Sequence, residues 1–351
     1  MSGQLARTKG FDMGHTDPVA TATGIPGLVV RPYGGEADLP EVARIQSAEW
    51  EADGVSERAN VDALRAWWGN PSDQFDPARD VDIVEVDGRV VAVTQRDWID
   101  ATDGVRDYRA RGWIEPAFRR RGIGRMLVEH NEAVRRALAA THDTDRPLVL
   151  GMGSAETNLG SMALAAAFGY EPARWFTDME RSLLDDLPEI PPMPDGLEVR
   201  AASADQARQI WVADQEAFQD HWGGWDQSDA SFRRWTESPE FQPELMVVAW
   251  DGGEVAGAVL NAVYPEENAE LGIRRGWLDS VFTRRAWRRR GLARALIVRS
   301  LHLLRDRGLA TAALGVDADN PSGAFGLYAS AGFTPTERFV AWRKPMELDR
   351  P

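Results

Sequence analysis

The chain has 351 residues and no cysteine. That excludes disulfides, thiolate metal sites and a thiol nucleophile, and leaves the compartment unmarked by redox chemistry. Histidine is scarce. The five present (His15, His130, His142, His221 and His302) include no pair at i,i+3 or i,i+4, so no local metal pair exists and no metal is expected. No apolar run approaches the ~18–20 residues that cross a bilayer. The first residues, MSGQLARTKGFDMGHTDPVATATGIPG, lack the apolar stretch of a signal peptide. A polar leader is expected over 1–26, in a cytoplasmic protein with no membrane partner. Excess positive charge is missing as well. The formal net charge is −15, a poor scaffold for neutralising phosphates along a polymer, so no nucleic-acid partner is expected.

What is there is a repetition. Gly27-Leu28-Val29-Val30-Arg31 resembles Gly196-Leu197-Glu198-Val199-Arg200, an offset of 196 − 27 = 169. FRRRGIGRML (118–127) resembles WRRRGLARAL (287–296), and 288 − 119 = 169. Each half has an Asp-Gly turn between β-branched runs, the signal of a hairpin, and ends near a Gly-aromatic pair, Gly169-Tyr170 and Gly332-Phe333. Between them DDLPEIPPMPDG carries prolines at 188, 191, 192 and 194, which forbid a continuing helix. Two domains are expected, 27–184 and 196–351, joined by a linker over 185–195. Within the second half, the periodicities predict a strand at 197–200, a helix at 204–219, a hairpin at 245–263 and a strand at 277–283. A helix to about 307, a strand at 311–317, a helix at 321–331 and a strand at 338–346 follow. Such an order makes a mixed α+β layer arrangement.

The arginine loops follow a strand and open a helix. Helix-start amides lack intrahelical partners and the dipole adds positive potential, so the ligand that fits is a phosphate or pyrophosphate. Gly122 and Gly291 let the backbone approach it. Neither loop has the Lys-Ser/Thr of a Walker A motif, and neither completes Gly-x-Gly-x-x-Gly. The pattern Arg119-x-x-Gly122-x-Gly124, repeated as Arg288-x-x-Gly291-x-Ala293, resembles the pyrophosphate loop of the GNAT (Gcn5-related) N-acetyltransferases. VDADNPSGAFGLYASAGF (316–333) resembles that family's later segment, and the tandem halves resemble the mycothiol-synthase-like acetyltransferases of actinobacteria.

The resemblance implies two tandem GNAT folds. Each would be a mixed, mostly antiparallel sheet flanked by helices, with a splayed parallel strand pair holding acetyl-CoA as co-substrate. It implies cofactor contacts from Val281-Phe282-Thr283, Arg288-Arg289-Arg290-Gly291-Leu292-Ala293-Arg294 and Asn320. In the first half it implies Trp113 and Ile114, then Arg119, Arg121, Gly122, Ile123, Gly124 and Arg125. It also implies a tyrosine acid four residues before the Gly-aromatic pair. That position is Tyr328 in the second half but Ala165 in the first, so catalysis is expected in the second half. The family's common glutamate base falls on Trp277. Asp279, two residues on, is the candidate base. The acceptor, a small-molecule amine, is expected to meet Asp220, His221, Trp222 and Trp225, since carboxylates with indole faces suit a cation. With no cysteine, direct attack in a ternary complex is the natural mechanism. Rival readings are activity in both halves, another acyl-CoA donor, and a non-catalytic CoA sensor. A monomer or homodimer is expected.

Overall fold

The computed structural model describes residues 24–319 and 323–348. Most of the expected leader, residues 1–23, and Asn320 lie outside them. The first half contains β1 (Leu28–Pro32), α1 (Leu39–Asp53), α2 (Val61–Trp68), α3 (Pro77–Asp80), β2 (Val81–Val86) and β3 (Arg89–Asp100). It continues with β4 (Arg106–Ile114), α4 (Ile123–Ala139), β5 (Leu148–Ala155), α5 (Leu159–Ala167) and β6 (Glu171–Ser182). The second half contains β7 (Glu198–Ala201), α6 (Ala207–Ala217), α7 (Asp229–Glu237), β8 (Val247–Asp251), β9 (Glu254–Val263) and α8 (Pro265–Leu271). Then come β10 (Arg275–Thr283), α9 (Leu292–Asp306), β11 (Thr311–Asp317), α10 (Ala324–Ser330) and β12 (Thr334–Pro345).

The first hairpin closes through Asp87-Gly88, both at positive φ (51° and 79°), as a two-residue turn with matching twist requires. Strand alternation then builds two core layers. In the first half Ile83 and Val93 pack under α1 with Leu39, Val42 and Ile45, while Val84 and Ala92 pack against Ile123, Met126 and Leu127 of α4. In the second half Val248 and Trp250 meet Ile210 of α6, and Val247 and Ala249 join the cluster of Leu292, Leu296 and Leu301 of α9. Each such fully buried side chain contributes about 1.5–3 kcal/mol. Helices therefore cover both faces of the sheet.

All twelve strands form one sheet, in the order β1-β2-β3-β4-β5-β12-β6-β11-β10-β9-β8-β7. Among the described strands only β4–β5 and β10–β11 pair in parallel. The repeat does not announce what happens at the centre. Each half's closing strand crosses over: β12 lies against β5, β6 lies against β11, and β6 and β12 pair with each other. The segment 183–197 between β6 and β7 has no helix or strand. No helix among the described residues is long and apolar enough to cross a membrane.

Candidate active site and its first-half counterpart

The two parallel pairs are joined only at their beginnings. β4 and β5 pair from Arg106↔Leu148 to Ala110↔Met152, and β10 and β11 only from Arg275↔Thr311 to Trp277↔Ala313. Beyond those points the strands part and a cleft opens, about 510 Å³ in the first half and 860 Å³ in the second. An arginine loop closes one end of each. Both loops have the same backbone: Arg120 and Arg289 are left-handed at φ 63° and 60°, followed by Gly122 and Gly291 at 95° and 82°. A left-handed arginine is uncommon and costs conformational energy. Here it lies at the starts of α4 and α9, a backbone arrangement of the kind that can cradle an anion.

The arginines divide the labour. In the second half Arg288 donates Nε to the Thr283 carbonyl (3.0 Å), Nη2 to the Ala217 carbonyl (2.9 Å) and Nη1 to Asp220 (3.2 Å). It thereby staples the loop to β10 and α6. Arg290 reaches the Asp195 carbonyl at 2.9 Å, away from the cleft. Arg289 and Arg294 line the cleft, the latter donating to Ser330 Oγ at 3.1 Å.

Among the titratable groups that line the second cleft, Tyr328 and Asp279 are the ones with the expected acid and base roles. Tyr328 is only 7% exposed, stands edge-on to Phe333 at 6.1 Å, and has its phenol pushed up to about 12 by burial. Asp279 occupies a β-bulge: Leu278 pairs with Asn261 and Ser280 with Leu260, so Asp279 is the extra residue. A bulge re-aims a side chain out of the ladder, and the Tyr264 hydroxyl donates to the freed carboxylate at 2.9 Å. Asp279 lies between the halves, exposed to the open space of both cavities but walled by protein on either side. Desolvation there pushes its carboxyl up to about 7, with repulsion from Glu240, Glu267 and Glu57 adding to the rise and the Tyr264 bond opposing it. At the equivalent position, 279 − 169 = 110, the first half has Ala110 in an unbroken nine-residue ladder with β3.

Asp279 also borders a chamber of about 540 Å³ between the halves. Trp67, Phe75 and Trp98 come to it from the first half, and Trp211, Trp225 and Trp235 from the second. Asp214, whose carboxyl burial raises to about 6, accepts a 2.5 Å bond from Ser280 Oγ there.

Residues 205–333 match the model of the Acetyltransferase (GNAT) family, a span that falls within the second half. A mycothiol acetyltransferase of Geodermatophilus obscurus is 31% identical over 323 residues, 88% of this chain and 94% of the relative. The chain belongs to the GNAT acetyltransferase family. A second mycothiol acetyltransferase, from Nocardia farcinica, is 36% identical over 241 residues, 66% of this chain and 73% of its own. A solved GCN5-related N-acetyltransferase from Sphaerobacter thermophilus superposes with a TM-score of 0.67 at 28% identity, covering 92% of this chain and 96% of that one. A tandem GNAT protein from the clavulanic acid biosynthesis pathway superposes equally well, with a TM-score of 0.67 and coverage of 92% and 100%. At 19% identity that likeness concerns the fold alone.

In this GNAT enzyme the structure gathers most of the expected residues. Val281, Phe282, Thr283, Arg288, Arg289, Gly291, Leu292, Ala293 and Arg294 line the second cleft with Tyr328 and Asp279, while Arg290 does not. In the first cleft Ile114, Arg119, Gly122, Gly124 and Arg125 are found. Trp113 turns instead into the core under α1, Ile123 packs under the sheet, and Arg121 lies over the Phe118 ring at 4.8 Å. Of the four expected acceptor residues, Trp225 lines the inter-half chamber. Asp220 is held at the cofactor loop by Arg285 and Arg288, and His221 lines the second cleft. Trp222 packs under the Arg343 guanidinium at 4.3 Å.

Sequence reading missed Tyr264, Asp178 and Phe176. The last two reach the second cleft from β6 through the strand exchange, which no local pattern signals. Glu49 lies in the acidic, Trp-bearing stretch 48–68 and could have been singled out there by its position on α1, one turn from Asp53.

Proposed function

We propose that the second half carries the acetyl-CoA-dependent reaction, transferring the acetyl group to a primary amine that enters through the inter-half chamber. The single observation that carries this is the asymmetry of the chemistry. Tyr328 and the bulged Asp279 converge on the second cleft, where the first half has Ala165 and Ala110. The cleft residues suit the donor. The nested amides of Gly291 to Ala293, with Arg289 and Arg294, suit a pyrophosphate. The edge of β10 left unpaired beyond Trp277 suits an extended amide-bearing arm.

Asp279, with a carboxyl near 7, is poised to take a proton from the incoming ammonium, leaving a neutral amine to attack the thioester carbonyl. As the carbon–sulfur bond breaks, the sulfur takes the proton of Tyr328, whose phenol stays protonated at neutral pH. The attacking nitrogen, cationic once bonded to the carbonyl carbon, releases its second proton to water, the Tyr328 phenolate regains a proton from water, and Asp279 gives up the one it took. Eight aromatic side chains and five carboxylates, Asp214 and Asp279 among them, against three arginines, make the chamber receptive to a cationic amine.

The relatives' name makes mycothiol-type acceptors the first to assay, beside aminoglycosides, amino acids, polyamines and amino sugars, with CoA release as the readout. Tyr328→Phe tests the reading directly. It should lower kcat by about 100-fold or more while CoA affinity stays within a factor of two. Unchanged turnover would remove Tyr328 from the chemistry.

A further inference from the structure

Arg119, the first arginine of the first-half loop, is already engaged. Its Nη1 and Nη2 donate to both oxygens of Asp53 at 2.6 and 2.8 Å, and Asn158 Nδ2 donates to the same carboxylate at 2.8 Å. Glu49, one turn earlier on α1, accepts the Ile114 N–H at 2.6 Å and lies 3.5 Å from Arg119. Ile114 stands beyond Ala110, the last β4 residue paired with β5, so its N–H belongs to the edge that an extended ligand in the cleft would use. Both carboxylates line that cleft, with side chains only 13% and 8% exposed.

The second half has neither. The short 3-10 turns that precede α1 and α6, at 36–38 and 204–206, set an offset of 204 − 36 = 168. Glu49 then corresponds to Ala217, and Asp53 to His221. Where the buried Asp53 binds Arg119 with two charged contacts, Arg288 takes the Ala217 carbonyl and a single 3.2 Å contact to Asp220, whose side chain is half exposed and shared with Arg285.

We infer that the first-half cleft is closed to CoA and to other phosphorylated ligands by Glu49 and Asp53. The two carboxylates take the places that a ligand's hydrogen-bond acceptor and anionic group would fill, so the chain binds one acyl-CoA. A phosphate entering at the loop would meet two buried carboxylates against the single charge of Arg119, a net negative charge at close range. At an effective dielectric of about 20, that repulsion weakens binding by about 100-fold or more. Burial pushes the Glu49 carboxyl up to about 7, so the closure is fullest at pH 8. The single remaining site rests on the proposed donor role of the second cleft.

The test is calorimetric titration of the full chain with CoA at pH 8. Wild type should bind one equivalent. Glu49→Ala/Asp53→Ala should bind two, and Ala293→Trp, which fills the second cleft, should abolish the wild-type site but leave the new one. Glu49→Gln/Asp53→Asn retains packing and removes only charge. It should also gain a second, weaker site, and it serves if the alanine pair unfolds. Two equivalents in wild type overturn the closure, as does a folded double variant that gains no site. None in wild type but one in the double variant upholds the closure and refutes the second cleft as the donor site. None in either refutes both.

Discussion

Asp279→Asn is the most informative change in the second cleft, because the surroundings of Asp279 fix both the size and the sign of its effects. Its carboxyl is pushed up to about 7, chiefly by burial. Below that value the group is protonated and cannot take a proton. Log kcat/KM for the acceptor should then rise with pH and level off above about 7. A general base of this kind is worth about 100-fold or more. The asparagine variant should lose that factor and the inflection near 7, keeping only a rise as the acceptor's own amine deprotonates in solution at higher pH. Tyr264→Phe supplies the complementary shift. The Tyr264 hydroxyl donates to the charged carboxylate at 2.9 Å and so holds its pKa down. A hydrogen bond to a charged group contributes about 1.5 kcal/mol or more, and one pH unit corresponds to about 1.4 kcal/mol. Water in the open chamber replaces part of the lost bond, so the inflection should move to higher pH by less than about one unit. The assay is CoA release at subsaturating acceptor between pH 5.5 and 9. A pH profile in Asp279→Asn that keeps the inflection, or an acid shift in Tyr264→Phe, would refute the reasoning.

Two further outcomes concern the fold. Glu49, Glu57, Asp178 and Asp279 all have carboxyls pushed up to about 7, chiefly by desolvation, and nearby carboxylates add to the rise at all four. Their folded pKa values lie above the ordinary carboxyl values, so between about pH 4 and 7 the folded chain holds protons that the unfolded chain releases. They therefore lower stability as pH rises through that window. Glu57→Gln should raise Tm at pH 8 relative to its effect at pH 5, measured by scanning calorimetry. An equal effect at both pH values contradicts this. Residues 24–184 expressed alone should show no cooperative unfolding transition, since β6 loses both β11 and β12, and β5 loses its outer neighbour. A cooperative melt of that fragment would sink the prediction.

Local chemistry was legible in the sequence; arrangements that depend on distant strands were not. Asp87-Gly88 announced a hairpin, and two RRRG loops announced twin anion cradles whose left-handed arginines now match within a few degrees. Tyr328 could be placed by its distance from Gly332. Asp279 was reached by counting along a regular strand, but its aim depends on a bulge. One register shift against β9 decides it, and a period-two pattern has no mark for that. Helices α7 and α8 are short, with nine and seven residues, too brief for a clear periodicity. Glu49 and Asp53 belong to no motif in the sequence. Only the approach of α1 to Ile114 and Arg119 turns them toward the first cleft. The strand exchange joins segments more than a hundred residues apart, beyond any local signal.

That exchange sets a clock on synthesis. When β5 leaves the ribosome, ending at residue 155, the strand that will cover its outer edge begins at residue 334, and 334 − 155 = 179 residues remain to be made. At about 5–20 residues per second, the edge waits about 10–35 s. Throughout that time a row of backbone donors and acceptors stands open in the nascent chain, a template for pairing with any other extended segment. A tandem protein of this kind is therefore most exposed to misassembly in the interval between making its first half and finishing its last strand.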